Sequence, residues 1–192
     1  MTVHRRQRNW GSGGAFSGPP QRNKGSRRLL LIAVCVVASA CATTTGRVEN
    51  GVYHSAKGYR VTLPASGWMV DPGPRADLAL QGAASSGGML VDATCDGRET
   101  ARSLDVLARH LTFGLTKRDV IEHGTTTVGG REAAHSVVRG MADGRDVTVE
   151  AMVMRADPCV HDFLYVAPTG AFEAGRPAFR ALVESFSREP GR

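Results

Sequence analysis

The stretch Arg131-Glu-Ala-Ala-His-Ser-Val-Val-Arg-Gly-Met-Ala-Asp-Gly-Arg-Asp-Val-Thr-Val-Glu-Ala-Met-Val-Met-Arg155 decides the fold class of this chain. Val147, Val149, Ala151 and Val153 occupy every second position, which places them on one face of a strand. Asp143-Gly144 lies between two alternating segments. Both central positions of a type I′ turn need positive φ, so this pair marks a hairpin. Gly129-Gly130 closes the other end of the first segment, and three long strands are predicted at roughly 119–128, 131–141 and 145–155. A fourth, Val160 to Ala167, stops at Pro168.

Working outward, Gly51 to His54 and Tyr59 to Pro64 predict two short strands, with Tyr59, Val61 and Leu63 on one face of the second. Leu78-Ala79-Leu80 and Met89 to Cys95 follow as strands, joined by the turn-rich Ala84-Ser85-Ser86-Gly87-Gly88. From Ser103 to Arg118 the period changes: Leu104, Leu107, Ala108, Leu111 and Leu115 form one stripe of a helix, with Asp105 near its start and Lys117 and Arg118 at its end to suit the dipole. Phe179, Leu182, Val183 and Phe186 give a closing helix from about Pro177 to Ser187, with Pro177 as its first residue. Short links between consecutive strands make the sheet mainly antiparallel, and the two amphipathic helices must cover it. The class is α+β.

The segments Tyr59-x-Val-x-Leu-Pro-x-x-Gly-Trp68, Val128-Gly-Gly-Arg-Glu-Ala133, the Asp143-Gly144 hairpin and Phe179-x-x-Leu-Val-x-x-Phe186 together resemble the PsbP/DcrB-like fold over about residues 51 to 188. That resemblance implies a mainly antiparallel sheet with helices packed on it. It also implies a non-catalytic accessory or assembly role, or an envelope lipoprotein. It implies no site residue.

Charge is divided unevenly along the chain. Seven of the 24 basic residues and none of the 18 acidic ones fall in residues 1 to 40, so the formal +6 belongs to that segment and the remainder is near neutral. No cluster of Lys and Arg with interleaved aromatics follows residue 40, which argues against nucleic acid as a partner. Arg27-Arg28, the nine apolar residues Leu29 to Val37 and the small residues Ala38-Ser39-Ala40 make a basic n-region, a short h-region and a cut site. A spanning helix needs roughly 20 apolar residues, so this is a leader rather than a transmembrane anchor. Ser39-Ala40-Cys41 resembles the lipobox of bacterial lipoproteins, in which the cysteine is acylated and becomes the new N-terminus; Ala38 stands where Leu is usual. Ordinary cleavage, with Cys41 an incidental thiol, is the alternative. Ser26-Arg27-Arg28-Leu29-Leu30-Leu31 partly matches a twin-arginine signal, leaving the export route open. The organisation expected is a leader over 1–40, lipidated Cys41 with a polar tether over 41–50, and one domain over 51–192. The membrane, reached through the lipid on Cys41, and an envelope protein are the expected partners, with the domain facing the periplasm or exterior.

With Cys35 in the leader and Cys41 lipidated, Cys95 and Cys159 remain. In an oxidising compartment such a pair is most simply a disulfide. Two buried free thiols, or a metal site that adds His161 to Cys159, are the alternatives, the second lacking the further ligand pair of a zinc site. His54, His110, His123, His135 and His161 show no metal-binding spacing, and no metal is expected. Asp92 and Asp162 lie in apolar strands as a possible carboxylate pair. Ser85-Ser86-Gly87-Gly88 has the flexibility of a site loop. There is no Gly-x-Ser-x-Gly, and no Gly-rich loop opens a helix to cradle phosphate, so neither an enzyme nor a cofactor is expected. A non-catalytic envelope lipoprotein is the leading reading, ahead of a small-ligand-binding module and a hydrolase.

Overall fold

The computed structural model describes residues 46–72 and 75–189. Cys41 and the leader lie outside the described residues. Among the described residues, eleven strands form two sheets in which every pairing is antiparallel. The smaller has the order β1 (Gly46–Glu49), β2 (Val52–Ser55), β3 (Tyr59–Thr62), β11 (Ser187–Arg188). The larger has the order β4 (Trp68–Val70), β5 (Leu78–Gly82), β6 (Gly88–Thr94), β10 (Cys159–Pro168), β9 (Arg145–Ala156), β8 (Arg131–Ala142), β7 (Thr116–Val128). Between β6 and β7 the chain crosses to the far edge of this sheet, carrying α1 (Gly97–Thr100) and α2 (Leu104–His110) on the way. The last helix, α3 (Phe172–Glu184), follows β10.

The hairpin signals place the long strands. Asp143 has φ 49° and Gly144 φ 75°, the left-handed pair that a type I′ turn requires, and the register runs from Ala142↔Arg145 along the whole of β8 and β9. Neighbouring residues in a strand face opposite ways, and this separates two apolar clusters. Ala133, Met152, Met154, Phe163 and Tyr165 point to the side where Phe172, Phe179, Leu182 and Val183 of α3 and Tyr59 and Val61 of β3 pack. Ala134, Val153 and Val160 point the other way, against Leu107 and Ala108 of α2. α2 and α3 therefore cover opposite faces of the large sheet.

Four expectations need correction. The helix read over Ser103 to Arg118 ends at His110, after which Phe113 N–H donates to the His110 carbonyl and Leu115 N–H to that of Thr112 in tightening turns. Leu115 is apolar because it lies over Gly140 of β8, where an added Cβ would approach the Leu115 Cβ to 3.1 Å. Lys117 and Arg118 belong to β7, and Arg109 and His110 take the place at the helix end. The closing helix begins at Phe172, five residues before Pro177, which is accommodated inside it. The carbonyl that Pro177 leaves without its helical donor is that of exposed Glu173 in the first turn, where water can replace the bond. The stretch read as tether contributes β1 from Gly46 onward, and β4 and β11 are further short strands that too few residues signal.

Candidate functional site

Cys95 and Cys159 are bonded, with Cα atoms 4.1 Å apart. Val160 pairs with Thr94 in the β6–β10 ladder, so the two cysteines stand as its next cross-strand neighbours. The Cys159 sulfur is thereby taken, and the metal reading that paired it with His161 does not describe this arrangement. No group of three or more His, Cys, Asp or Glu among the described residues is placed to hold a metal ion.

His161 follows two residues later, facing the same core. Its ring meets Tyr59 edge-on at 5.0 Å and Phe186 at 4.7 Å, and it is buried. Burial pushes its pKa down to about 4, against a hydrogen bond to the Ala156 backbone that favours the charged form. The neutral ring is thus the folded form. Between about pH 6.5 and pH 4 the unfolded chain takes up a proton that the folded chain refuses, so stability is lost as pH falls through this window. The shift corresponds to at most about 3 kcal/mol. Three carboxylates modify the profile. Burial of Asp77 raises its pKa, working against the loss, whereas Glu150 and Asp105, with their pKa values lowered, add to it. Urea unfolding at pH 7 and pH 4 should show a smaller pH dependence in His161→Phe than in the parent, by up to about 3 kcal/mol. Equal dependence in both would remove His161 from this role.

Beside it, Lys57 from the β2–β3 turn reaches Asp77 Oδ1 at 2.7 Å and Asp92 Oδ1 at 3.2 Å, and donates to the Ala93 carbonyl. Asp77 Oδ2 accepts from Tyr59 Oη at 2.9 Å and from Ala93 N–H at 3.1 Å, while Tyr53 Oη donates to the Asp77 carbonyl at 2.6 Å. This set ties the small sheet to β5 and β6. Asp92 and Asp162 are register partners across β6 and β10, so they are indeed neighbours, with the Lys57 ammonium on the Asp92 carboxylate.

The densest polar group lies under α3. Glu150, fully buried on β9, accepts from His135 Nε2 at 2.9 Å, Arg176 Nε at 2.9 Å, and Arg180 Nε and Nη2 at 3.1 and 3.0 Å. Arg176 also donates to Glu122 of β7 at 2.7 Å. Burial pushes Glu150 toward the neutral acid, but the hydrogen bonds from His135 and Arg176 and the charges of both arginines outweigh it and hold the pKa below the usual carboxylate range. Sequence reasoning singled out His135 but missed Glu150, Arg176 and Arg180. A Glu inside the stretch Val147–Met154, where Thr148 is the one other polar residue, was the available signal, paired with two Arg one helical turn apart on α3.

The remaining histidines are dispersed. His54 Nδ1 lies 2.7 Å from Glu189, His123 Nε2 lies 2.6 Å from Asp105, and His110 packs its ring on Phe113 at 4.8 Å. The loop expected to be flexible is clamped: Ser86 Oγ donates to the Ala83 carbonyl at 2.6 Å, and Tyr165 Oη donates to the Ser86 carbonyl at 3.0 Å. A Cβ at Gly87 would come within 2.1 Å of the Val166 carbonyl oxygen, so glycine is required there. Open surface lies elsewhere. A cavity of about 260 Å³ is lined by Leu111, Leu115, Val149, Leu164 and Val166, and a cleft of about 220 Å³ separates β1 from the segment after β4.

No family model matches the sequence, and no curated protein matches it. Among solved structures, PsbP from the cyanobacterium Synechocystis is 15% identical over 74% of this chain and 96% of its own, with a TM-score of 0.52. LpqN of Mycobacterium tuberculosis, involved in cell envelope biogenesis, is 15% identical over 71% of this chain and 88% of its own, with a TM-score of 0.50. A likeness at such identities is one of fold, and it agrees with the all-antiparallel sheets and covering helices described above. The chain has the PsbP-like fold.

Proposed function

We propose that this chain is a non-catalytic lipoprotein of the cell envelope, held to a membrane by acylated Cys41, whose domain binds or supports another envelope component. The single observation that carries the reading is how the acid–base groups are used. Glu150 with His135, Arg176 and Arg180, Lys57 with Asp77 and Asp92, Asp105 with His123 and Arg109, and His54 with Glu189 are four separate groups that brace strands and helices. A catalytic centre needs base, nucleophile and stabilising donors held together around open space. The leader ending in Ser39-Ala40-Cys41 supports the address, and LpqN, a protein of similar fold, is involved in cell envelope biogenesis. No helix among the described residues is long and apolar enough to cross a membrane. A small-ligand-binding module is the second reading, favoured by the apolar cavity beside Leu111, Leu115 and Val149.

Two measurements test the first reading. Mass spectrometry of the mature N-terminus should find a modified Cys41; an unmodified chain starting elsewhere removes the anchor. In a deletion strain, Ala variants of His110, His123, Asp92 and Asp162 should complement at matched protein level, and His135→Ala and His161→Ala should fail only in proportion to lost stability. A variant that accumulates, melts as the parent does and yet abolishes function would mark a catalytic or binding residue and overturn it.

A further inference from the structure

We infer that the cleft between β1 and β4 is the face that the domain rests on its own bilayer; this depends on Cys41 being the anchor. Four residues lie between Cys41 and Gly46, which makes five steps along the chain, and an extended chain spans at most about 3.5 Å per step, so β1 starts within about 18 Å of the lipidated end. This tether is too short to let the domain turn any distant face to the membrane.

What stands at that end mixes exposed apolar side chains with charged ones, for Arg47, Asp71 and Asp77 also line the cleft. β1 is the outer strand of the small sheet, β4 is the outer strand of the large one, and Val48 and Val70 line the cleft between them. Val48, Met69 and Val70 are 45%, 69% and 49% exposed, three of the six large apolar residues that the described part of the chain exposes. The other three, Phe113, Val120 and Ile121, lie in and just before β7, the opposite edge of the large sheet. Strands are about 4.8 Å apart, so six spacings put that second group about 29 Å across the sheet. The reach of the tether thus selects the β1–β4 edge. The headgroup region suits it, because water there satisfies the outer backbone groups of both edge strands while the exposed Val and Met side chains meet the acyl boundary.

Trp68 of β4 adjoins Met69 and is the one tryptophan after residue 41, which makes the contact measurable. The mature lipoprotein is taken from cell membranes, the mass of its N-terminus is read, and it is reconstituted into phosphatidylethanolamine–phosphatidylglycerol vesicles carrying shallow brominated lipids. Trp68 emission should be quenched. In the triple variant Val48→Ser, Met69→Ser, Val70→Ser the quenching should be lost, while the protein still sediments with the vesicles and melts as the parent does. An unmodified Cys41 would overturn both the anchor and this inference. Acylated Cys41 with unquenched Trp68, or a photoactivatable side chain at position 48 that joins a protein rather than lipid in cells, would overturn this inference alone.

Discussion

Replacing both Cys95 and Cys159 with Ala should cost the domain about 4 kcal/mol of unfolding free energy, because the bridge closes a 64-residue loop in the unfolded chain. That loop carries α1, α2, β7, β8 and β9, so its closure limits how far half the large sheet can stray from β6 and β10 before folding. The folded state should change little. The β6–β10 ladder holds seven register pairs from Val160↔Thr94 to Val166↔Gly88 without the cysteines, and Ala fills the buried Cys159 position without adding a polar atom. Urea unfolding of the double variant and of the parent with and without reductant measures the difference. The expected outcome is a native-like far-ultraviolet spectrum, a lower midpoint in the variant, and a reduced parent that matches it. Thiol labelling of the denatured, unreduced parent should find neither cysteine free. A loss below about 1 kcal/mol would mean that the unfolded chain is already compact around this loop, leaving closure little entropy to remove.

The parts of the fold that the sequence discloses are those where one local signal acts alone. Asp143-Gly144 and Gly129-Gly130 fix the hairpins of β7, β8 and β9, since only left-handed backbone closes such short turns on twisted strands. The Phe179, Leu182, Val183, Phe186 spacing is likewise a direct reading of burial, whereas β9 is buried on both faces from Val147 to Met154, so its alternation does not mark one buried face. The errors arise where one residue type serves two purposes. Leu115 continues the spacing of α2 yet lies over Gly140, and Pro177 resembles a helix start yet sits inside α3. β1, β4 and β11 are four residues or fewer, and pairing rather than composition holds them. The polar clusters were hidden for another reason. Glu150 meets Arg176 and Arg180 only after β10 and the turn beyond it bring α3 back over the sheet, and Lys57 meets Asp77 across 20 residues.

Glu150→Ala should destabilise the domain by about 3 to 4 kcal/mol, the lower part of the range for breaking a buried ion pair from one side. The buried carboxylate accepts four hydrogen bonds from three side chains, and its removal leaves His135 without that partner and the two guanidinium groups with less compensation for their desolvation. The loss is held to the lower part because Glu122 remains 2.7 Å from Arg176 and 3.9 Å from Arg180. Arg176 is 15% exposed and cannot turn wholly to water, whereas Arg180 at 44% can, so the damage should centre on Arg176. Removing both charges of that pair distinguishes orphaned charge from lost packing. In Glu150→Met with Arg176→Met the apolar stems are kept and the less exposed guanidinium goes with the carboxylate, leaving only Arg180, which can turn to water, so the double variant should recover at least about half of the single-variant loss. Full additivity of the two substitutions would show that Glu150 and Arg176 act independently. A single-variant cost below about 1 kcal/mol would show that water already compensates these charges, which would recast the group under α3 as a solvated surface cluster.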